Sequence, residues 1–534
     1  EEQGGSRPGR TAIDIANRKA LTYLYTRLTK TSLGTFDNDA KSCYDRIIAS
    51  LALIASRALG MPEVACRIHG QTIDKMKHFI KTAQGTSASY YSNEREGLLF
   101  GSGQGSGGSP PLWLLIWVAL SNALSTEMTG MSFCSPDHSN STARNNDAFV
   151  DDTTGGVNDT HLSTPLSPTE LAARLQKQAQ LWERLLFASG GRLELPKCFF
   201  YMIVWKWTDG DATMMSVEEL NASISLTCGS NPHPVPIAQK EVHTSHKTLG
   251  TQMNPTGTMT AETNRLKAKA STIAAAIERF EGPPWKAHLL YTSRYQPSLA
   301  YSLPITTLSA AQVKSIQTRP IKAILGSLGV NRMFPRDVAH GPLTHGGLGL
   351  PHLLTIQGVS QIALLTGHIR QNDVNGKLTL ACLDSAQLIA GVSAPLLEYP
   401  SLTHPHLKDP WLDSHRSFLT ECDAKLIISA AWTPTLHRTK DRLIMEVAEK
   451  SKTTPIDLRH VNQCRLYLKV QRLSDLCNGA GTEFLPKALS HTYPSHNVES
   501  NLTWPRQGDP SPRAWATWKK IIRRLFLIDR DGPL

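Results

Sequence analysis

The sequence predicts an α+β protein in which a half of mixed strands and helices precedes a mostly helical half. Strand-like alternation occurs at 35–39 and 193–207, beside stretches of helical spacing. After Gly250 nearly every periodic stretch has helical spacing. With 534 residues, of which 40% are apolar, the chain is long enough for about three or four folded domains.

The first half begins with a short strand, 35–39, that leads into a helix. Over 43–54 the apolar residues recur three and four positions apart, which predicts one helix with one apolar face. A glycine- and serine-rich loop, 101–109, precedes an apolar helix from Pro110, since proline is tolerated in a first helical turn. The apolar stretch 110–120 is far shorter than the roughly 20 residues that cross a bilayer. We therefore predict a buried helix and no membrane partner.

The rest of the chain is predicted from the same periodicities. A polar loop over 125–147 separates the apolar helix from the pair Phe149-Val150, and 208–246 is an excursion between two strands. Helical spacing occurs in the segments 169–188, 260–280, 309–326 and 354–370, and a helical, proline-interrupted region follows from residue 371.

The chain is basic, with 56 Lys and Arg against 45 Asp and Glu and a net charge of +11. This balance favours a polyanionic partner, for which nucleic acid is the first candidate and an anionic membrane the second, and of the two we predict nucleic acid. The 9 cysteines form no C-x-x-C pair, which argues against a zinc ribbon or a disulfide framework. The sequence starts at Glu1 with neither an initiator Met nor a signal-peptide pattern. We therefore expect a fragment of a longer chain and a cytoplasmic or nuclear location.

Three carboxylates, Asp39, Asp151 and Asp152, carry the strongest chemical signal. Asp39 ends a predicted strand where a helix begins, and Phe149-Val150 is a short apolar strand that ends in two acids, as at a hairpin tip. An isolated Asp-Asp pair is most often solvated turn chemistry, but two such strand ends can share metal ions. Two Mg²⁺ ions need oxygens from at least two carboxylates and stabilise attacking and leaving oxygens in phosphoryl transfer. We predict two Mg²⁺ ions here, with Mn²⁺ as the alternative.

These acids stand in order with further motifs, and together the motifs resemble the palm of a reverse transcriptase, closest to non-LTR retrotransposon polymerases. The matching motifs are, in chain order, Asp39-Ala40 with Tyr44-Asp45, the glycine-rich Gly101–Pro110 with Gln104-Gly105, the aromatic-x-Asp-Asp box 149–152, the small-residue turn and lysine in 189–198, and Leu249-Gly250. The resemblance covers residues 1–370. The remainder, 371–534, resembles only poorly characterised C-terminal parts of retroelement polyproteins.

The resemblance implies a right-hand polymerase fold with an antiparallel sheet and packed helices in its palm. It implies these parts: partial fingers 1–34, a palm 35–250 with a polar insertion at 208–246, a helical thumb and linker 251–370, and a mostly helical C-terminal region 371–534 of unknown role. The implied activity is RNA-directed DNA synthesis, in which deoxynucleoside triphosphates extend a DNA primer on an RNA template.

The resemblance also assigns roles to the residues of the first palm motif and the acidic box. Asp39 and Asp151 would bind the metal ions, Asp152 would be a weaker partner, and the carbonyl of Ala40 would add an oxygen. Tyr44 would lie beneath the incoming sugar, where its ring excludes a 2′-hydroxyl. Tyr44 also lies on the apolar face of its helix, so a role in the core is the alternative, and the two roles are compatible. Asp37 is assigned to structure.

Other residues are placed around the nucleotide. Gln104 and Gly105 would let the backbone approach a base pair closely. Lys197 would protonate or neutralise the pyrophosphate leaving group, with an ordinary surface lysine as the alternative. Arg7 and Arg10 resemble fingers residues that touch the triphosphate.

The helix at 260–280 carries the second basic region, Arg265, Lys267 and Lys269. We predict that these cations contact phosphates of the template–primer duplex, although a solvated helix face is the alternative. Two rival functions remain at this point. One is a viral RNA-dependent RNA polymerase, against which Tyr44 argues, and the other is a non-catalytic nucleic-acid-binding relic.

Overall fold

The computed structural model describes residues 1–92, 101–436, 438, 441–451, 453–490 and 501–528. Within these ranges a six-stranded sheet organises the first half of the chain. Its strands, in pairing order, are β11 (Ile224–Leu226), β12 (Val235–Gln239), β8 (Phe199–Ile203), β1 (Leu33–Asp39), β7 (Asp152–Asn158) and β6 (Asn146–Phe149). Neighbouring strands are antiparallel, except that β12 and β8 are parallel. The predicted α+β class is confirmed, with a sheet that is only partly antiparallel.

The remaining strands form two-stranded sheets. These are β2 (His78–Thr82) with β3 (Gly85–Tyr91), β4 (Met131–Cys134) with β5 (Ser141–Arg144), β9 (Trp205–Thr208) with β10 (Asp211–Met214), and β13 (His246–Thr248) with β14 (Thr251–Met253).

Two segments predicted from their polarity as irregular contain strands. The predicted loop 125–147 is wrong, because it includes β4, β5 and the start of β6. The prediction for 208–246 missed β10, β11 and β12, and β12 joins the main sheet. Strand β4 alternates, with Met131 and Phe133 buried, but it has only four residues and lies in a polar stretch. Its Ser132 amide also donates to Asn158 Oδ1 over 2.9 Å, a contact that hydrophobic periodicity cannot reveal.

The helices, numbered in chain order, are α1 Ala12–Thr29, α2 Cys43–Arg46, α3 Ala49–Ala58, α4 Glu63–Lys75, α5 Ser109–Glu127, α6 Pro168–Ala188, α7 Val217–Leu220, α8 Thr260–Glu278, α9 Pro284–Leu290, α10 Gln296–Ala300, α11 Ala310–Ser327, α12 Arg336–His340, α13 Leu353–Gln371, α14 Val374–Ala390, α15 Pro410–Glu421, α16 Ile444–Lys450, α17 Pro455–Leu468 and α18 Pro512–Ile528. A π-helical segment, Tyr291–Tyr295, joins α9 to α10. The predicted helices at 110, 169–188, 260–280, 309–326 and 354–370 are confirmed as α5, α6, α8, α11 and α13.

The single helix predicted over 43–54 is wrong, because the chain breaks at Ile47 and Ile48 into α2 and α3. The glycine-rich segment causes this break. The Gly101 amide donates to the Asp45 carbonyl and the Ser102 amide to the Tyr44 carbonyl, at 3.0 and 3.1 Å. Two carbonyls that would have continued the helix are therefore engaged elsewhere.

The two faces of the sheet are covered by different parts of the chain. Alternation along the strands sends Phe36 and Phe200 into a core with α5 and α6, whereas Leu33 and Ile203 enter a second core. That second core contains α1 together with α14, α16, α17 and α18, so the C-terminal helices complete the body that holds the sheet. A third core, under α8, α11 and α13, belongs to residues 259–356.

No described helix has both the length and the apolar character needed to cross a membrane.

Candidate active site

Three aspartates meet where β1 ends and β7 begins. In the antiparallel register Asp39 lies directly opposite Asp152, and the amide of Ala40 donates to the Asp151 carbonyl over 3.3 Å. Asp151 lies in the two-residue turn between β6 and β7, next to Asp152 at the tip of that hairpin. The structure thus brings the backbones of the three predicted aspartates to one end of the sheet.

Within this aspartate cluster, each negative charge makes ionisation of the neighbouring carboxyl groups less favourable. Burial, followed by the charges of Asp151 and Asp39, raises the pKa of Asp152 to about 6. Burial, together with the nearby Asp39 carboxylate, also raises the pKa of Asp151. Carboxylates that disfavour one another's ionised forms provide an electrostatic environment suited to a cation.

The chemistry of these donors fits a hard divalent cation, because Mg²⁺ and Mn²⁺ prefer carboxylate and carbonyl oxygens. Over the described ranges, however, no three His, Cys, Asp or Glu side chains already stand in an arrangement that could hold a metal ion. Asp39 is instead paired with Lys197, whose Nζ lies 2.6 Å from Asp39 Oδ2. The binding of two metal ions by Asp39, Asp151 and Asp152 stays a prediction.

Replacing Asp152 with asparagine should stabilise the metal-free protein at pH 7. The ordinary pKa of an aspartate is 3.8, and that of Asp152 in the folded protein is about 6. As the pH rises between these two values, ionisation of Asp152 therefore lowers the free energy of unfolding. Asp152→Asn removes that loss, which we expect to be only about 1 kcal/mol, because solvent still reaches the side chain even though protein atoms surround much of its carboxylate. In thermal unfolding between pH 3.5 and 8, the Tm of Asp152→Asn should rise above that of the wild type as the pH increases through this window. Added Mg²⁺ should reduce this difference in Tm. Asp74→Asn, an exposed acid on α4, is the control. A difference in Tm independent of pH would contradict the assignment.

Lys197 stands at the rim of the cluster, with 65% of its side chain exposed. Its hydrogen bond to Asp39, together with the charge of that carboxylate, raises the pKa of Lys197. The side chain therefore remains protonated at neutral pH, which is the state needed to neutralise a leaving group or to give it a proton. A divalent cation on Asp39 would compete with this contact.

Tyr44 lies half-buried in α2, immediately beyond the end of β1. Its ring packs against the core under α5 and α6. Burial raises the pKa of Tyr44, and the neighbouring Cys43 and Asp151 contribute to the same shift, so the phenol lies near the carboxylates. The placement is compatible with both predicted roles, as a core residue and as a wall of the site.

The glycine-rich segment lies against the first palm motif of the predicted polymerase. A side chain at Gly101 would come within 2.6 Å of two backbone oxygens, those of Tyr44 and Ile47, so this close approach requires glycine. The Gln104 amide donates to Asp45 Oδ1 over 2.9 Å. Gln104 itself is exposed, as is the next residue, Gly105.

A cavity of about 350 Å³ opens beside Asp39 and Asp152. Its wall includes the buried ion pair of Lys19 with Asp37, in which Asp37 also accepts from Thr154 Oγ1 over 2.8 Å. The Asp37 carboxylate is thus engaged within the fold, as expected of a structural residue. Sequence periodicity gave no sign of Lys19, because its partner lies on a different element.

The two arginines predicted to touch a triphosphate make internal contacts. Arg10 forms an ion pair with Asp373, the residue that caps α14 and that also accepts from His368 over 2.9 Å. Arg7 Nη1 donates to the backbone carbonyl of Gln3 over 3.4 Å. Nucleotide binding by Arg7 and Arg10 stays a prediction, and for Arg10 it competes with a link to the C-terminal helices.

The basic residues of α8 differ in how much charge they offer to a ligand. Arg265 makes two hydrogen bonds to the buried Glu262, at 2.8 and 2.6 Å, and these raise the pKa of Arg265. Lys269 donates to the Ser298 carbonyl, a neutral acceptor, and Lys267 is exposed. The two lysines therefore retain the uncompensated charge of this helix.

No model of a known protein family matches the chain, and no curated protein shows significant similarity to it.

Proposed function

We propose that this chain is an RNA-directed DNA polymerase that transfers nucleotides to a primer 3′-hydroxyl by two-metal catalysis. One observation carries the proposal: Asp39 at the end of β1 faces the Asp151-Asp152 hairpin tip in direct register. Carboxylates from two separate strand ends are what a two-metal nucleotidyl transfer requires. The ordered motifs around them support the choice of reverse transcriptase, and the fold would then be a polymerase palm.

In this mechanism the residues of the chain would hold the metal ions and neutralise the charge of the leaving group. Bound divalent cations would supply Lewis-acid stabilisation of the attacking and leaving oxygens. Asp39 and Asp151 would hold them, with the Ala40 carbonyl and Asp152 as further oxygens. Lys197, protonated beside Asp39, would neutralise the departing pyrophosphate or give it a proton.

The direct test is primer extension by the full natural chain. The substrates are a DNA primer on an RNA template, four deoxynucleoside triphosphates and Mg²⁺, with ribonucleotides and a DNA template in parallel reactions. Templated extension with deoxynucleotides supports the proposal. Duplex binding without extension would identify the non-catalytic relic, and a preference for ribonucleotides would identify an RNA polymerase.

Tyr44→Val should weaken discrimination against ribonucleotides. The smaller side chain opens space for a 2′-hydroxyl and leaves the three aspartates untouched. We expect the ratio of deoxyribonucleotide to ribonucleotide kcat/KM to fall by about 10-fold or more, the value of one steric contact of roughly 1.4 kcal/mol. Tyr44→Phe, which keeps the ring, is the matched control. An unchanged ratio in a folded Tyr44→Val protein would limit Tyr44 to the core.

Neutralising the cations of α8 should flatten the salt dependence of template–primer binding. Each phosphate contact contributes about 0.7 to 0.9 to the slope of log affinity against log salt. Glu262 already neutralises Arg265. We therefore expect that changing Arg265, Lys267 and Lys269 together to glutamine removes about two phosphate contacts, which reduces the magnitude of the slope by roughly 1.4 to 1.8.

Binding would be measured by fluorescence anisotropy over a range of salt concentrations. Exposed cations of α6, Arg174 and Lys177, changed to glutamine, provide the control. An unaltered slope in the triple variant would move the duplex away from α8, towards Arg319, Lys322 and Arg332.

A further inference from the structure

The turn that carries Asp151 is strained. Val150, its first residue, has a backbone φ of +60°, in the left-handed region that β-branched residues rarely occupy. Such a conformation is energetically unfavourable for a β-branched residue and persists only where surrounding contacts enforce it. Some part of the structure must therefore hold Val150 in place.

The contacts that enforce this conformation come from the start of the chain. The Val150 amide donates to Gln3 Oε1 over 2.9 Å, and Gln3 Nε2 donates to the Val150 carbonyl over 3.1 Å. Gln3 Oε1 also accepts from the Gly5 amide over 2.8 Å. Because this atom accepts from two amides, the oxygen and nitrogen of the side-chain amide are assigned unambiguously. Trp113 Nε1 adds a second donor to the Val150 carbonyl, at 2.7 Å.

The segment around Gln3 is built for this approach. Gln3 is 2% exposed and forms a parallel bridge with Ala148 of β6. A side chain at Gly5 would come within 2.6 Å of the Val150 amide nitrogen, so glycine is needed there. Glu2 anchors the same segment separately, by accepting from Ser121 Oγ over 2.6 Å.

We propose that Gln3 is a positioning residue for the Asp151-Asp152 pair, because its side-chain amide holds the strained turn that carries Asp151 and leads into Asp152, the residue opposite Asp39. This inference rests on the proposed function for its effect on catalysis. Its effect on the shape of the turn is independent of that function. Gln3 touches the backbone of the turn and acts on the metal site only through it.

Gln3→Met is the principal test, since methionine has a similar length but makes none of these hydrogen bonds. We expect the Mg²⁺ concentration for half-maximal thermal stabilisation to rise several-fold. We also expect kcat for primer extension to fall by about 10-fold, with KM for the nucleotide within about twofold, because misplaced metal ligands slow the chemical step. The Trp113 indole N–H resonance, assigned by Trp113→Phe, should shift because it reports the Val150 carbonyl directly.

Ser121→Ala is the matched control, because it loosens the same N-terminal segment without touching the turn. It should lower stability but leave the Mg²⁺ response and kcat unchanged. If Gln3→Met and Ser121→Ala alter Mg²⁺ affinity, kcat and the Trp113 resonance alike, the positioning role is refuted.

A second variant tests the role of strain and guards against a Gln3→Met protein that folds poorly. Glycine at position 150 adopts positive φ without cost. Gln3→Met should therefore lower Mg²⁺ affinity and kcat less in a Val150→Gly background than in the wild type. Equal losses in both backgrounds would overturn the strain argument. A wild-type chain that binds Mg²⁺ but extends no primer would refute the polymerase while leaving the Mg²⁺ and resonance comparisons valid. A wild-type chain with no Mg²⁺ response would overturn the two-metal proposal, and the Trp113 resonance would then decide alone whether Gln3 holds the turn.

Discussion

Asp151→Ala is expected to abolish primer extension, with a loss of about 10³-fold or more in kcat. Asp151 lies in the turn of the β6–β7 hairpin. If it is a metal ligand, as we propose, its removal would weaken metal binding and leave the charge on the transferred phosphoryl group less well compensated. Asp39→Ala should have the same effect from the opposite strand. The measurement is single-nucleotide incorporation at saturating Mg²⁺ and deoxynucleoside triphosphate.

The control for both changes is Asp74→Ala, which removes an exposed carboxylate of α4 outside the cluster. It should retain wild-type incorporation. Duplex affinity should also stay near wild type in Asp151→Ala, because the cations of α8 are unaltered. An Asp151→Ala protein that incorporates nucleotides at the wild-type rate would falsify the two-metal assignment.

Asp147→Ala should be the most destabilising single change near the site, by about 3–5 kcal/mol, because it strands two buried guanidinium groups. Asp147 is 3% exposed and accepts from Arg144 Nε at 2.8 Å and from Arg18 Nη1 at 3.2 Å. Urea unfolding followed by tryptophan fluorescence would measure the loss. The expected cause is desolvated, unpaired charge and not the loss of a carboxylate as such.

Two comparisons separate these causes. Asp137→Ala removes a carboxylate that accepts from the amide and hydroxyl of nearby Ser139, and should cost under about 1 kcal/mol. In an Arg144→Met background, Asp147→Ala should cost less than in the wild type, because one of the two stranded charges is gone. Equal costs in both backgrounds would contradict the ion-pair explanation.

The sequence predicted that each of the three aspartates follows a strand because the signals for that placement are local. Asp39 follows its own strand, and Asp151 and Asp152 follow Phe149-Val150, so each position depends on a few neighbouring residues. Helices with strong periodicity, such as α6, were predicted for the same reason. The juxtaposition of the two strand ends came from the resemblance and from no local pattern.

The features that the sequence did not predict depend on partners far along the chain. Gln3 and Val150 are 147 residues apart, and the carbonyls that break the predicted helix at Ile47 are taken by amides more than 50 residues away. Strand β4 was missed for a different reason, since Met131 and Phe133 do alternate into the core but the strand has only four residues and lies in a polar stretch.

The shared core of α1 and the C-terminal helices constrains the order in which a ribosome can complete this fold. The backbone carbonyl of Leu21 in α1 accepts a hydrogen bond from the thiol of Cys382, which lies 361 residues later in the chain. At about 5–20 residues per second, α1 would wait roughly 20 to 70 s for that partner, with its apolar side uncovered. The sheet can form in the meantime against α5 and α6, so assembly would proceed from one face of the sheet to the other. Chaperone protection during synthesis should therefore matter most for α1.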